Sequence, residues 1–385
     1  MNLARFISIR TYSGKGKSFS VFVSRIAVSS VALSVAAMIV SYSILKGFQK
    51  DIKKKLFSFG SHLMVTKYDL NESYESSPMN TKTDFYLHPN FQYIEHIQRF
   101  AYKAALFKTK EEVNGVLLKG VDENFYAEKF QPNIVKGHIP QYNDSAESKQ
   151  IIISQKLADR LSLDTGSAVL VYFIQNPPRY RKLIVAGLYQ TGMDELDDTY
   201  VICDLKVLQK VNNWSDSLAG GFEMYVKDFT QLDLAEQEVF GKMDYDLKVS
   251  NIKEKFGHIF DWIHLLDNNV VIFSFIILFV ACFNMVSTLF VLIMERTSMI
   301  GILKALGANN RLIQRIFVLR GMHLVAKGLL IGNALGLFIC GIQYYFLLIP
   351  LDPSYYYMSH VPIKWEWLAY LALNGGLVPV LFLVL

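Results

Sequence analysis

The sequence predicts an integral membrane protein, four transmembrane α-helices plus a large α+β extracytoplasmic domain inserted between helices 1 and 2. Three observations carry that prediction. Of 385 residues, 52% are apolar and the mean hydropathy is +0.24, which is more greasy surface than one soluble core needs. Several long runs carry no formal charge. Basic residues gather in the short segments beside those runs, whereas the one long segment between them is net acidic.

A spanning helix satisfies its own backbone polar groups and crosses roughly 30 Å of hydrocarbon, which takes about 20 apolar residues. Residues 26–45, 270–294, 328–349 and 367–385 each meet that requirement. One charge at the bilayer centre costs about 2.5 to 3.5 kcal/mol on insertion scales, so four uncharged windows in one chain are not accidental. The first run follows Arg5, Arg10, Lys15 and Lys17, as a secretory signal would. It is longer than a signal's apolar core, and Lys46-Gly47-Phe48-Gln49-Lys50 stands where a small-residue cleavage site belongs. An uncleaved anchor is expected.

Orientation follows from the flanking charges. Residues 1–25 form a basic juxtamembrane segment with Arg5, Arg10, Lys15, Lys17 and Arg25 and no acid. Residues 295–327 hold Arg296, Lys304, Arg311, Arg315, Arg320 and Lys327 against Glu295 alone. Residues 46–269 hold 27 basic and 31 acidic residues, and residues 350–366 hold Lys364 against Asp352 and Glu366. Both termini and the loop 295–327 are therefore placed in the cytoplasm, and residues 46–269 and 350–366 outside.

The long insert has room for one large or two small cores. Strand-like alternation at 61–67, 168–173, 182–188 and 222–226 is mixed with helical spacing at 91–100, 155–161, 205–211 and 232–243. Polar breaks at 68–80, 141–149 and 212–217 separate these elements. The expected arrangement is an α+β body from 46–114 and 214–269, with a β-rich domain, 115–213, inserted into it.

Catalytic and metal chemistry finds little support. The run Asp194-Glu195-Leu196-Asp197-Asp198 lacks the glycine and spacing of a calcium loop and reads as a solvated or structural turn. The eight histidines form no H-E-x-x-H pair, no G-x-S-x-G elbow occurs, and Cys203, Cys282 and Cys340 are too few and too far apart for a disulfide scaffold. Gly14-Lys15-Gly16-Lys17-Ser18 lacks the first glycine of a phosphate loop, since position 11 is Thr11, and reads as a basic turn attractive to anionic lipid heads. No cofactor site, metal site, catalytic residue or nucleic-acid-binding face is expected in this chain.

In the loop after the second run, Met299, Ile302, Leu303 and Leu306 fall on one helical face, Gly307 offers a C-terminal stop, and a second amphipathic stretch, 311–319, leads into the third run. Such a ridge suits either the groove of a soluble partner or the bilayer surface.

These residues also carry a resemblance. The segment with Phe260-Asp261-Trp262, Phe283-Asn284-Met285-Val286-Ser287-Thr288-Leu289, Glu295-Arg296 and Ile302-Leu303-Lys304-Ala305-Leu306-Gly307-Ala308 resembles the FtsX-like, MacB-type permeases of ABC systems. It is most similar to the lipoprotein-releasing (Lol) C/E transmembrane branch. Gly47-Phe48-Gln49-Lys50, Phe57-Ser58-Phe59-Gly60-Ser61-His62 and Gly187-Leu188-Tyr189-Gln190-Thr191-Gly192-Met193-Asp194-Glu195 agree with it. The resemblance implies a multi-pass subunit of the bacterial inner membrane. It pairs with a second permease subunit, identical or paralogous, and rests on a dimer of separate ATPase subunits that bind ATP and magnesium. Met299, Ile300, Gly301, Ile302, Leu303, Lys304, Ala305, Leu306 and Gly307 would form the ATPase coupling helix, making 295–327 a coupling loop. The cargo would be lipoprotein, taken from the outer leaflet and passed to a periplasmic carrier chaperone.

Moving acyl chains into water costs about 0.8 kcal/mol per CH₂, so extraction calls for external work and a greasy shelter. Met38, Tyr42, Leu45 and Phe48 of the first span and Val270, Phe273 and Ile277 of the second are the candidate lipid-facing and substrate-facing positions; ordinary lipid contact or helix packing is their simpler role. Asn284 and Asn333 are candidates for hydrogen bonds between helices, and Gly328, Gly332 and Gly336 for close packing of the third. The chaperone hook of one Lol paralogue would correspond to the turn with Gln175, Asn176, Pro177, Pro178 and Arg179, which is short for that task. The chain ends inside the fourth run without the basic tail such permeases carry, so a longer natural chain is expected. The alternatives are a MacB/FtsX-like mechanotransmitting permease with another export or envelope task, and a membrane-bound ligand sensor.

Overall fold

The computed structural model describes residues 19–69, 75–109, 112–143, 146–352 and 356–384. The basic stretch from Arg5 to Lys17, with the turn at Gly14 to Ser18, lies outside the described residues. Among the described residues, five helices organise the apolar part: α1 Phe19–Phe59, α2 Gly257–Glu295, α3 Thr297–Ala305, α4 Asn310–Phe346 and α5 Trp367–Val384. Among the described residues, three stretches, Val21–Phe59, Gly257–Glu295 and Asn310–Phe346, are long and apolar enough to cross a membrane. At 1.5 Å per residue the 39 residues of α2 span about 58 Å, roughly twice the hydrocarbon thickness. The helices therefore outrun the uncharged runs. α1 continues through Lys46, Lys50, Asp51, Lys53, Lys54 and Lys55 to Phe59, and α4 starts at Asn310, absorbing the amphipathic stretch 311–319. Charge excludes residues from hydrocarbon without stopping a helix, and long charged side chains are good helix formers. The side chain of Asn309 caps α4 by accepting from the Leu312 amide at 2.9 Å.

The chain divides into two compact units. One comprises Met1–Asp51, Trp262–Leu351 and His360–Leu385; the other comprises Ile52–Asp261 with Asp352–Ser359.

The described residues of the second unit form twelve strands: β1 Leu63–Lys67, β2 Met79–Asn80, β3 Ile94–Lys108, β4 Val113–Val121, β5 Ile134–Gly137, β6 Gln150–Ser154, β7 Ala168–Phe173, β8 Arg179–Tyr189, β9 Tyr200–Asp204, β10 Leu218–Ala219, β11 Gly221–Val226 and β12 Leu247–Asn251. Ten of them form one sheet in the order β12-β1-β11-β3-β4-β9-β6-β8-β5. The tenth, β7, pairs with both β3 and β8, so β3, β4, β9, β6, β8 and β7 close on themselves as a barrel. Inward-pointing Phe107, Leu118, Ile151, Ile153, Val171 and Leu183 fill it and are fully buried. Among the described residues, ring closure removes free edges from those six strands, and the end strands of the sheet are β12 and β5.

β3 belongs to both halves. Residues 94–100 pair with β11, and residues 100–108 pair with β4, the last three of them also with β7. A domain boundary at residue 115 therefore falls inside the β3–β4 hairpin. The helix expected at 91–100 is a correction too, because residues 94–100 are strand. The middle of β3 is covered on both faces, so its apolar residues lose the strict alternation that marks a half-buried strand. The remaining expectations fall close: strands at 63–67, 168–173, 179–189 and 221–226, and helices Gln155–Arg160, Leu205–Asn212 and Leu232–Phe240.

Just after α1, His62 is buried among Phe57, Tyr225 and Phe229. Its Nδ1 accepts the Val226 amide at 2.9 Å, so the ring is neutral in the fold. Burial is the main cause that lowers its pKa from 6.5 to about 4. A folded pKa below the unfolded one means that the unfolded chain binds more protons between those values, so stability falls as pH drops through this window. Hydrogen exchange at the Val226 amide should lose about 2–3 kcal/mol of protection between pH 7 and pH 4.5 in the intact chain, and His62→Gln should flatten that dependence. Equal pH profiles for the two proteins would contradict the assignment.

Candidate functional site

Within the helical unit, α1 packs on α4 through the glycine stripe. A Cβ at Gly332 would lie 2.6 Å from the Ala32 carbonyl oxygen, and one at Gly328 would lie 2.7 Å from the Val31 side chain. Close backbone approach substitutes for the hydrophobic drive that hydrocarbon cannot supply between helices. Polar side chains complete the lattice. Asn284 Nδ2 donates to Ser30 Oγ at 2.6 Å, Ser43 Oγ meets the Tyr370 hydroxyl at 2.7 Å, and Asn333 and Asn374 exchange amide bonds at 2.8 and 2.9 Å.

That lattice frames a cavity of about 680 Å³ between α1, α2 and α5. Met38, Tyr42 and Leu45 line it from α1, Val270, Ser274 and Phe275 from α2, and Leu368 and Leu373 from α5. Its polar wall is Asp267 and Glu366. Asp267 pairs with Lys46 at 3.3 Å. Glu366 pairs with Lys364, whose hydrogen bond holds that carboxyl below the usual range. The result is an apolar slot with a zwitterionic rim, a chemistry suited to an amphiphile.

Four of the candidate substrate-facing residues, Met38, Tyr42, Leu45 and Val270, line this cavity, whereas Phe48, Phe273 and Ile277 do not. Phe273 is exposed on the outer surface of the unit, and Ile277 packs against the interhelical core. The lining arc of α2 runs through 270, 271, 274, 275 and 278, rotated from the 270-273-277 face. The contribution of α5 went unread in the sequence, because that helix is apolar all round and has no preferred face. Asp267, an acid directly before an uncharged run, was the available signal for the rim.

Residues 299–305 lie on α3, which buries none of its residues, and Leu306 and Gly307 follow at its C-terminal end. Ile302 is 63% and Leu306 79% exposed, while Met299 and Leu303 are half-buried. Ile300 is half-buried, and Gly301, Lys304, Ala305 and Gly307 are exposed. The helix stops as its sequence suggests. Gly307 adopts φ +86°, its amide donates to Lys304 O at 3.0 Å, and Ala308 N donates to Leu303 O at 2.9 Å. A non-glycine residue would be strained there, so the greasy ridge ends on a defined corner.

The turn with Gln175, Asn176, Pro177, Pro178 and Arg179 closes the β7–β8 hairpin, whose last pair is Phe173 with Arg179. It is fastened to its own domain. Arg179 Nη1 donates to the Lys210 and Val211 carbonyls at 2.7 Å each, and Gln175 Nε2 donates to Val211 O at 3.1 Å, capping the helix Leu205–Asn212. The acidic run 194–198 is likewise structural. Asp197 accepts from the Thr191 amide at 3.1 Å and the Gly192 amide at 2.9 Å, burial raising its pKa, while Lys156 bridges Asp194 and Asp198 and His258 meets Glu195. Among the described residues no group of ligands could hold a metal ion.

The chain thus combines an apolar helical unit, a short helix with exposed apolar residues and a large folded α+β insert. Two family models cover most of the chain: the MacB-like periplasmic core domain matches residues 24–239, and the FtsX-like permease C-terminal matches residues 271–385. The chain belongs to the FtsX-like permeases with a MacB-like periplasmic core, and is a membrane protein with a periplasmic α+β domain. Among its relatives, the lipoprotein-releasing system transmembrane protein LolE of Haemophilus influenzae is 26% identical over 96% of this chain and 91% of its own length. The lipoprotein-releasing system transmembrane protein LolC of Neisseria meningitidis is 24% identical over 88% of this chain and 82% of its own. A LolC of Buchnera aphidicola is 22% identical over 82% and 76% respectively.

Substituting Gly332 by leucine should cost about 1–3 kcal/mol by overpacking against Ala32 and Val35, read as earlier unfolding of the purified chain in detergent. Gly341→Leu, where nothing lies near the added Cβ, should be tolerated, and equal losses for both variants would rule out the packing role.

Proposed function

We propose that this chain is the non-catalytic membrane subunit of an ABC system that extracts lipoproteins from the outer leaflet of the inner membrane and hands them to a periplasmic carrier. The cavity between α1, α2 and α5 carries this reading. Its apolar wall offers acyl chains the shelter they need between bilayer and carrier, and Lys46, Asp267 and Glu366 offer polar partners to the head of the lipid anchor. The Lol names of the relatives support the cargo class.

On this reading α5 is the fourth span, the amino terminus is cytoplasmic, and residues 46–269 stand in the periplasm. ATP and magnesium belong to a separate ATPase dimer, and a second permease subunit, a copy or a paralogue, completes the membrane assembly. The ridge of Met299, Ile302, Leu303 and Leu306 enters the ATPase groove as an amphipathic helix does, with Ile302 and Leu306 as anchors. The carrier docks on the periplasmic domain. Because Gln175 and Arg179 hold the β7–β8 turn down, that turn is a weak hook.

Two measurements test this reading. A photo-reactive residue at Tyr42 or Val270 should crosslink a lipidated protein in membranes, and one at Phe273 should crosslink bulk lipid instead. Peptide or drug adducts at Tyr42 would transfer the chain to another export task. Leu306→Asp should reduce co-purification of an ATPase at least tenfold, since a carboxylate would be buried in an apolar groove. An undiminished yield would remove α3 from the interface.

A further inference from the structure

Among the described residues of the periplasmic domain, the most deeply buried charges are Lys119 on β4 and Glu223 on β11, both with side chains 1% exposed and paired at 2.8 Å. They reach each other across the intervening strand β3, where Gln98 Nε2 donates to Glu223 Oε2 at 2.6 Å. Taking both ions out of water is expensive, and apolar residues of similar volume commonly serve stability as well or better. What they add is a specific contact. Lys119 Nζ also donates to the carbonyl of Phe59 at 3.2 Å and lies over the Phe59 ring at 5.3 Å. Phe59 is the last residue of α1, and the carbonyls at a helix C-terminus are where a cation is favoured. The outer end of α1 is thus tied to β4, and through Glu223 to β11. Ile52, Leu56 and Phe59 are buried around this point, and Ser58 and Asn133 exchange hydrogen bonds at 2.9 and 3.2 Å beside it.

We infer that the Lys119–Glu223 pair is a positioning device that fixes the outer end of α1 on the sheet, so that displacement of α1 is delivered to β4 and β11 without slippage. The inference rests on the reading of the chain as an ABC membrane subunit, because only then does α1 carry a stroke. An apolar pair would fill the same volume but could not hold the Phe59 carbonyl, so the domain would stay folded while the helix end loosens.

The test uses the full chain assembled with its ATPase in lipid nanodiscs. Lys119→Met and Glu223→Met alone each leave one buried ion unpaired and should lower the melting temperature. The double variant Lys119→Met/Glu223→Met should regain it. In that double variant, amide exchange at residues 56–60 should accelerate at least tenfold while exchange in the barrel is unchanged, and lipoprotein released per ATP hydrolysed should fall at least fivefold. Wild-type exchange at 56–60, or wild-type release per ATP, would overturn the inference. If the unmodified complex hydrolyses ATP but releases no lipoprotein, the functional reading fails, and the exchange at 56–60 still decides whether the pair pins the helix.

Discussion

Hydrocarbon gives no place to an unpaired backbone group or an unpaired charge, and the rest of the architecture answers to that exclusion. It sets the uncharged windows inside α1, α2 and α4, and it removes the usual reason for helices to associate, since lipid tails are as apolar as leucine. Contact between helices therefore depends on shape and on the few polar atoms present. Gly328, Gly332 and Gly336 bring the backbone of α4 against Val31, Ala32 and Ala36 of α1, and the Asn333–Asn374 exchange joins α4 to α5.

The two polar ends of the chain's chemistry follow the same rule. Lys46, Asp267, Lys364 and Glu366 gather at the rim of the slot, where water can reach them and the apolar lining begins. α3 has the opposite character, a short helix whose greasy residues remain uncovered in this chain. On the proposed reading, Leu306 faces a protein partner and the slot faces an amphiphilic ligand. The proposed function supplies both with one assembly.

Much of this was legible in the residues, for identifiable reasons. Uncharged runs, flanking lysines and arginines, and the glycine repeat of α4 are local signals with a direct physical meaning. Strands β7, β8 and β11 announced themselves by alternation, and Gly307 marked the end of α3. What could not be read depends on partners remote in sequence. The barrel closes because β7 finds both β3 and β8, and no pattern inside 168–173 reveals that. β3 hid its strand character because both of its faces are covered. The arc of α2 that lines the slot depends on where α5 lies, so Val270 was identified while Val271, Ser274 and Phe275 were not. The buried pair of Lys119 and Glu223 has no signature in the sequence, because nothing near either residue in the chain betrays the Phe59 carbonyl beside Lys119.

The claim on which everything turns is sidedness, with the barrel-bearing domain outside the cytoplasmic membrane and α3 within the cell. Single cysteines introduced at Asp164, which is exposed, and at Lys304 on α3 test it most directly when spheroplasts meet a membrane-impermeant maleimide, with the parent chain as the blank. Labelling of the cysteine at 164 in intact spheroplasts, and of the one at 304 only after lysis, is the predicted result. Labelling of position 304 from outside, with 164 protected, would contradict the topology and the function built on it.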